Sequence, residues 1–231
     1  MERTLTASAE RRLAGKSPLP VDPKAAIAVK RDVHEFLVST DAGTFARAFQ
    51  EVVTDPESTF GLIRVKRPAA RLGRDFAVGE RFQGCFSLEL ALLARLPAAA
   101  RARAERLLAL PAATALLRLV EDALLSNYAE VVAIESAPGA GGAFRLEYRY
   151  LDGTPIAGSS VFTIEDAGPG QCRVRQVFEY QEVNGVALGT FQRFGLKYHD
   201  QVVQMEVEKA AARAGVRVLS GTIPSEYAGL S

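Results

Sequence analysis

The stretch LGTFQRFGLKYHDQVVQMEVEKAAARAG, residues 188–215, decides how the chain is read. It runs without a proline and stops at Gly215, a residue suited to ending a helix. At about 100° per residue, Phe191, Phe194, Gly195, Tyr198, Val202 and Met205 share one stripe, with Leu196, Val203 and Val207 beyond it. Arg193, Lys197, Asp200, Gln201, Gln204 and Glu208 form the expected solvent face. Inside the wide apolar arc lie Gln192, His199 and Glu206, seven residues apart and so stacked about 10 Å per step along the axis.

Before this helix the period changes from 3.6 to two. YAEVVAIES (128–136), FRLEYRYL (144–151), GSSVFTIED (158–166) and QCRVRQVFEYQEV (171–183) alternate apolar and polar residues, and Gly, Pro and Asp separate them. They predict an antiparallel meander with turns at Asp152-Gly153 and at AGPGQ. Phe144, Leu146, Tyr148 and Tyr150 share one face of their strand. Cys172, Val174, Gln176, Phe178 and Tyr180 share one face of theirs, which leaves Gln176 as a polar group on an apolar surface. The run APGAGG (137–142) lacks the Lys-Ser/Thr ending of a phosphate-binding loop and reads as a hairpin connection.

Further upstream, VHEFLVS (33–39) predicts a strand, and Thr40 or Asp41 caps a helix carrying Phe45, Ala48, Phe49, Val52 and Val53 on one face. Two strands follow at 59–66 and 78–88, joined by the basic loop RPAARLGRD. Between residues 89 and 125 Leu, Ala and Arg dominate, and Pro97 and Pro111 each open a helix. The fold class is therefore α+β. Residues 1–23, rich in Ser, Pro and charge, are expected to form a flexible arm. Residues 24–220 are expected to form one domain with a helical insertion at 89–125, and residues 221–231 a polar tail.

Composition narrows the function. Of 231 residues 48% are hydrophobic, enough for a real core. Lys and Arg number 28 against 27 Asp and Glu, far from the basic excess that nucleic-acid binding demands. The two cysteines, Cys85 and Cys172, suit a reducing compartment and have no histidine beside them in sequence. His34 and His199 show no metal-ligand spacing, so neither a metal nor another cofactor is expected. The N-terminus carries no secretory signal and no run approaches the roughly 20 apolar residues of a membrane span, so the expected location is the cytoplasm.

The order of elements resembles the helix-grip fold of the START-like superfamily, which includes Bet v 1 allergens and polyketide cyclases. The resemblance covers Val33 to Ala214 and rests on VHEFLVSTDAGTFARAF at the start and on residues 188–215 at the close. It implies a cavity between a curved sheet and the closing helix, used by relatives for sterols, lipids, hormones or polyketide chains. It supplies no common catalytic set. The 89–125 helices exceed what a compact member needs. They offer a lid, a homodimer arm or a membrane-surface element whose Arg95, Arg101, Arg103, Arg106 and Arg118 would meet anionic headgroups, against the plainer reading of a packed pair with a solvated basic face.

Besides a structural or regulatory interaction module that uses the 89–125 helices as its partner surface, two functions are consistent with these features. One is binding or carriage of a hydrophobic ligand, lipid-like or aromatic, lined by Tyr148, Tyr150, Gln176, Phe178, Phe191, Gln192, Tyr198 and Val202. The other is a cyclase or aldol-type enzyme in which His199, Glu206 and Tyr180 move protons. A helix turned by some tens of degrees would instead leave His199 and Glu206 at the cavity rim as boundary residues.

Overall fold

The computed structural model describes residues 5, 7–25, 27–55, 63–87, 96–124, 126–136, 143–154, 156–183 and 196–222. Strand β1 (Lys30–Val38) leads into helix α2 (Ala42–Thr54), which follows a short N-terminal helix, α1 (Ala7–Ala14). Asp41 caps α2 by accepting from the Thr44 amide at 2.8 Å. This satisfies one of the amides that a helix start leaves unbonded.

Strands β2 (Ile63–Lys66) and β3 (Arg81–Phe86) pair antiparallel. Helices α3 (Ala98–Leu108) and α4 (Pro111–Leu124) follow, started by Pro97 and Pro111 as the sequence predicts. The meander then comprises β4 (Ser126–Ser136), β5 (Phe144–Tyr150), β6 (Ile156–Gly168) and β7 (Gln171–Glu182). Helix α5 (Leu196–Ala214) and strand β8 (Val218–Thr222) close the fold. Residues 188–195, expected as the first turns of the closing helix, lie outside the described residues.

All eight strands form one sheet in the order β2-β3-β4-β5-β6-β7-β1-β8, each pair antiparallel. Register shifts after Leu37, Val131 and Asp166 bend the strands, which lets the sheet curve. Gly158 in β6 has φ 125° and lies against the Glu179 carbonyl and the Tyr180 backbone, so a side chain there would collide with the next strand.

The core fills the concave side of the sheet. Phe45, Phe49 and Val52 of α2 and Val203, Val207, Ala210 and Ala211 of α5 pack with Phe36, Phe144, Leu146, Phe162, Ile164, Val174 and Phe178 from the strands. The small residues on α5 let the two helices approach closely beneath the sheet.

The described residues of the first 23, residue 5 and residues 7–23, differ from the mobile arm expected. Leu5 and Leu13 bury against Leu151 in a cluster apart from the main core, and Ala9 and Tyr128 pack around it. Arg81 donates to the carbonyls of Leu13, Ala14 and Lys16, at and just beyond the end of α1. Leu19 then bridges the sheet: its amide donates to Tyr150 O and its carbonyl accepts from the Gly158 amide, both at 2.8 Å. Leu13 and Ala9 bury one side of a helix that composition alone marks as polar, and Leu5, ahead of the helix, joins the same cluster.

The loop RPAARLGRD is also more than a connection. Arg67, 2% exposed, forms a bidentate pair with Glu80, with Nε to Oε1 at 2.6 Å and Nη2 to Oε2 at 3.0 Å. Arg67 further donates to the carbonyls of Thr54, Arg74 and Asp75, and Arg71 adds a second contact to Glu80.

Candidate functional site

Alternation along the strands brings one row of polar and aromatic side chains to the concave face. Tyr148 on β5 lies opposite Ser160 on β6, Ser160 lies opposite Phe178 on β7, and Gln176 on β7 lies opposite His34 on β1. Because inward residues recur every second position, Ser160 and Gln176 are diagonal neighbours and their side chains meet. Gln176 Nε2 donates to Ser160 Oγ at 2.6 Å.

Helix α5 supplies the other side. His34 Nδ1 lies 2.8 Å from Gln176 Oε1, and His34 Nε2 lies 2.8 Å from Asp200 Oδ1. Gln176 Nε2 is 3.2 Å from His199 Nε2. One amide thus joins both histidines of the chain. His199 stacks on Phe178 with ring centres 4.2 Å apart, and Phe178 stacks on Tyr180 at 4.5 Å. Tyr150 meets Phe178 edge-on, and Tyr148 meets Tyr150 in the same way.

Asp200 corrects the sequence reading. Helical spacing puts it on the solvent face, yet it is buried and bound to His34. Helix α5 is turned so that its buried face passes through Asp200, Val203, Val207, Ala210 and Ala211, while the half-buried His199, Val202 and Met205 lie at its margin. Glu208 and Gln201 remain exposed.

The electrostatics follow from this enclosure. Burial lowers the pKa of His199, helped by the neighbouring His34 and opposed by Asp200, so its ring is held neutral. Burial pushes Asp200 up, but the two imidazoles beside it outweigh burial and hold it below the usual carboxylate range. Glu206 keeps some exposure as a residue, but burial of its carboxyl group pushes its pKa up to about 8. Burial also raises Tyr148, where the Glu206 charge adds to the effect and hydrogen bonds with Ser160 and Tyr150 oppose it. Tyr150 is raised chiefly by burial.

Two polar groups stand out against this satisfied network. His199 Nδ1 is buried without a hydrogen-bond partner, 3.8 Å from Asp200 Oδ1. Among the described residues no basic side chain pairs with Glu206. The cysteines are inert by comparison: both are buried, and burial pushes the Cys172 thiol up to about 12, away from thiolate chemistry.

The structure therefore brings together His199, Tyr148, Tyr150, Gln176, Phe178 and Tyr180, places Glu206 beside the two tyrosines, and sets Val202 at the edge of the core. Phe191, Gln192 and the side chain of Tyr198 lie outside the described residues. His34, Asp200 and Ser160 were missed. Period-two alternation in VHEFLVS, which puts His34 with Phe36 and Val38, is the signal that would have found His34.

A curved antiparallel sheet closed by a long C-terminal helix, with polar groups meeting between them, is the helix-grip architecture. The solved structures that resemble the chain share this course. They include a point mutant of norcoclaurine synthase from Thalictrum flavum, 10% identical over 80% of this chain and 98% of that one, at a TM-score of 0.45. A hypothetical protein of Helicobacter pylori is 12% identical over 81% and 90%, with a TM-score of 0.47. Major latex-like protein 151 of Panax ginseng is 12% identical over 78% and 95%, with a TM-score of 0.40. These are likenesses of chain course only. No family model and no curated protein matches the sequence.

Proposed function

We propose that the chain binds an apolar, aromatic or lipid-like small molecule between the concave sheet and α5, with a polar group of that molecule meeting His199. One observation carries this reading: His199 Nδ1 is buried with no hydrogen-bond partner, in a ring that stacks on Phe178. A buried polar atom without a hydrogen bond costs free energy unless something bonds to it, and a ligand's polar end is a natural partner. A mostly apolar lining with a few convergent polar groups is the usual make-up of a small-molecule site.

Native mass spectrometry of freshly purified protein tests the proposal. Recovery of a bound apolar molecule, or saturable uptake of fluorescent fatty acids or polyphenols, supports it; a protein that takes up none of these does not have this function.

A second reading, an acid–base enzyme of the cyclase or aldol type, draws on a further feature. His199 and Glu206 are both held neutral near pH 7, one able to accept a proton and the other to give one, two helical turns apart on one side of α5. It expects His199→Ala and Glu206→Gln to abolish turnover of a polyketone while leaving ligand affinity nearly intact.

A further inference from the structure

The hydrogen-bond roles around Gln176 can be worked out from the charge on Asp200. A buried carboxylate must face a cation or several donors, and His34 Nε2, at 2.8 Å, is the group that faces it. His34 Nε2 donates to it, while Gln176 presents its oxygen to the other ring nitrogen. His34 Nδ1 must then donate, and it donates to Gln176 Oε1 at 2.8 Å. That orients the amide. Its Nε2 donates to Ser160 Oγ and faces His199 Nε2 at 3.2 Å, which must accept. In a neutral ring whose Nε2 accepts, the hydrogen sits on Nδ1. This is the atom that makes no hydrogen bond within the protein, Asp200 Oδ1 lying 3.8 Å away.

We propose that Asp200, His34 and Gln176 are positioning residues that fix a hydrogen on His199 Nδ1, where it donates to a carbonyl or oxyanion oxygen of the bound molecule. The proposal rests on the small-molecule reading above and narrows it: the ligand is an apolar or aromatic compound bearing an acceptor oxygen. The chain of roles is all-or-none because one amide serves both histidines. If Gln176 turned over, His34 would lose its acceptor and His199 would present a lone pair in place of a hydrogen.

His34, His199 and Asp200 also bring one potential metal-ligating atom each within 4.8 Å of one another. A metal would need lone pairs at His34 Nε2 and His199 Nδ1, the positions at which this network holds hydrogens. The cluster is satisfied by protons, and metal binding would contradict the proposal.

The chain has two histidines, so long-range proton–nitrogen correlation spectra of the ¹⁵N-labelled full-length protein contain two imidazoles. A His199→Gln sample tells them apart. The expected wild-type result at neutral pH is one ring protonated at both nitrogens, His34, and one neutral ring in the Nδ1–H form, His199. In Asp200→Asn, which keeps the shape and removes the charge, His34 becomes neutral, the amide turns over and His199 changes to the Nε2–H form. Binding of a flavone, which carries a ring carbonyl, weakens about tenfold in the same variant, the size of one hydrogen bond to a buried partner. Binding of the corresponding flavan, which lacks that carbonyl, stays the same.

An Nε2–H ring in the wild type, or an Nδ1–H ring retained in Asp200→Asn, overturns the positioning role. So does coordination of one equivalent of Zn²⁺ by both imidazoles. If Asp200→Asn does not fold, Gln176→Met tests the same link: a mixture of His199 tautomers supports it and a single Nδ1–H form refutes it. Failure of the wild type to bind flavone, flavan and the fatty acids and polyphenols named above overturns the ligand reading itself, whereas equal weakening of flavone and flavan in Asp200→Asn overturns only the acceptor-oxygen assignment.

Discussion

Glu206 is the side chain whose ionisation the fold opposes most clearly. Its pKa rises from 4.5 to about 8 because its carboxyl group is buried beside Tyr148 and Tyr150. Between those values the folded state holds a proton that the unfolded state has released, so stability falls as pH rises from about 4.5 to 8. The loss is at most about 4 kcal/mol, and less because the residue is not fully out of water. Glu206→Gln is expected to remove this slope, leaving stability unchanged near pH 4 and raising it at pH 8; urea unfolding across that range checks it. An identical slope in the variant would mean that the carboxyl group is hydrated. At this scale the sequence was partly legible. Gln176 stood out as a polar residue on an apolar strand face, and His199 and Glu206 as polar residues in an apolar arc. Asp200 did not, because on a helical wheel it falls among Lys197, Gln201 and Gln204, and only its contact with His34 shows that it faces inward.

Among the elements, the two strands at the β2 edge depend on the connection between them. Glu80 is buried against Arg67, so Glu80→Ala leaves a guanidinium without its counter-charge in a place water does not reach. The expected cost is about 3–5 kcal/mol, read from urea unfolding, because breaking one partner of a buried pair leaves the other uncompensated. Strands, helices and turns were readable from period and punctuation: Asp41 caps α2, Pro111 begins α4, and the β4 to β7 meander alternates as its sequence does. The buried role of Arg67 was not. RPAARLGRD has the composition of a surface loop, and the acid that draws Arg67 inward lies 13 residues away.

Across the whole molecule, the N-terminal segment shows how far composition can mislead. Its charges and prolines resemble those of a disordered arm, yet Leu5 and Leu13 find Leu151, and Gln181 holds the backbone of Asp22 and Ile27. Removing residues 1–23 exposes Leu151 and Tyr128 and should lower the melting temperature by roughly 5–10 °C while the sheet persists. Thermal unfolding followed by circular dichroism checks this, and an unchanged midpoint would mean that α1 does not hold its place. No helix among the described residues is long and apolar enough to cross a membrane.

The order and type of the elements from β1 to α5, the α+β class and the inward faces of the meander strands were determined by the sequence alone, because hydrophobic period and turn chemistry are local properties. The rotation of α5, the docking of α1 and the meeting of His34 with Asp200 were decided by the tertiary structure. These depend on residues 142 to 166 positions apart, as in the His34–Gln176 and His34–Asp200 contacts, and no local pattern records which distant partner a polar group will find. Burial then sets the charges, since the same imidazole and carboxylate in water would have no reason to hold a fixed tautomer.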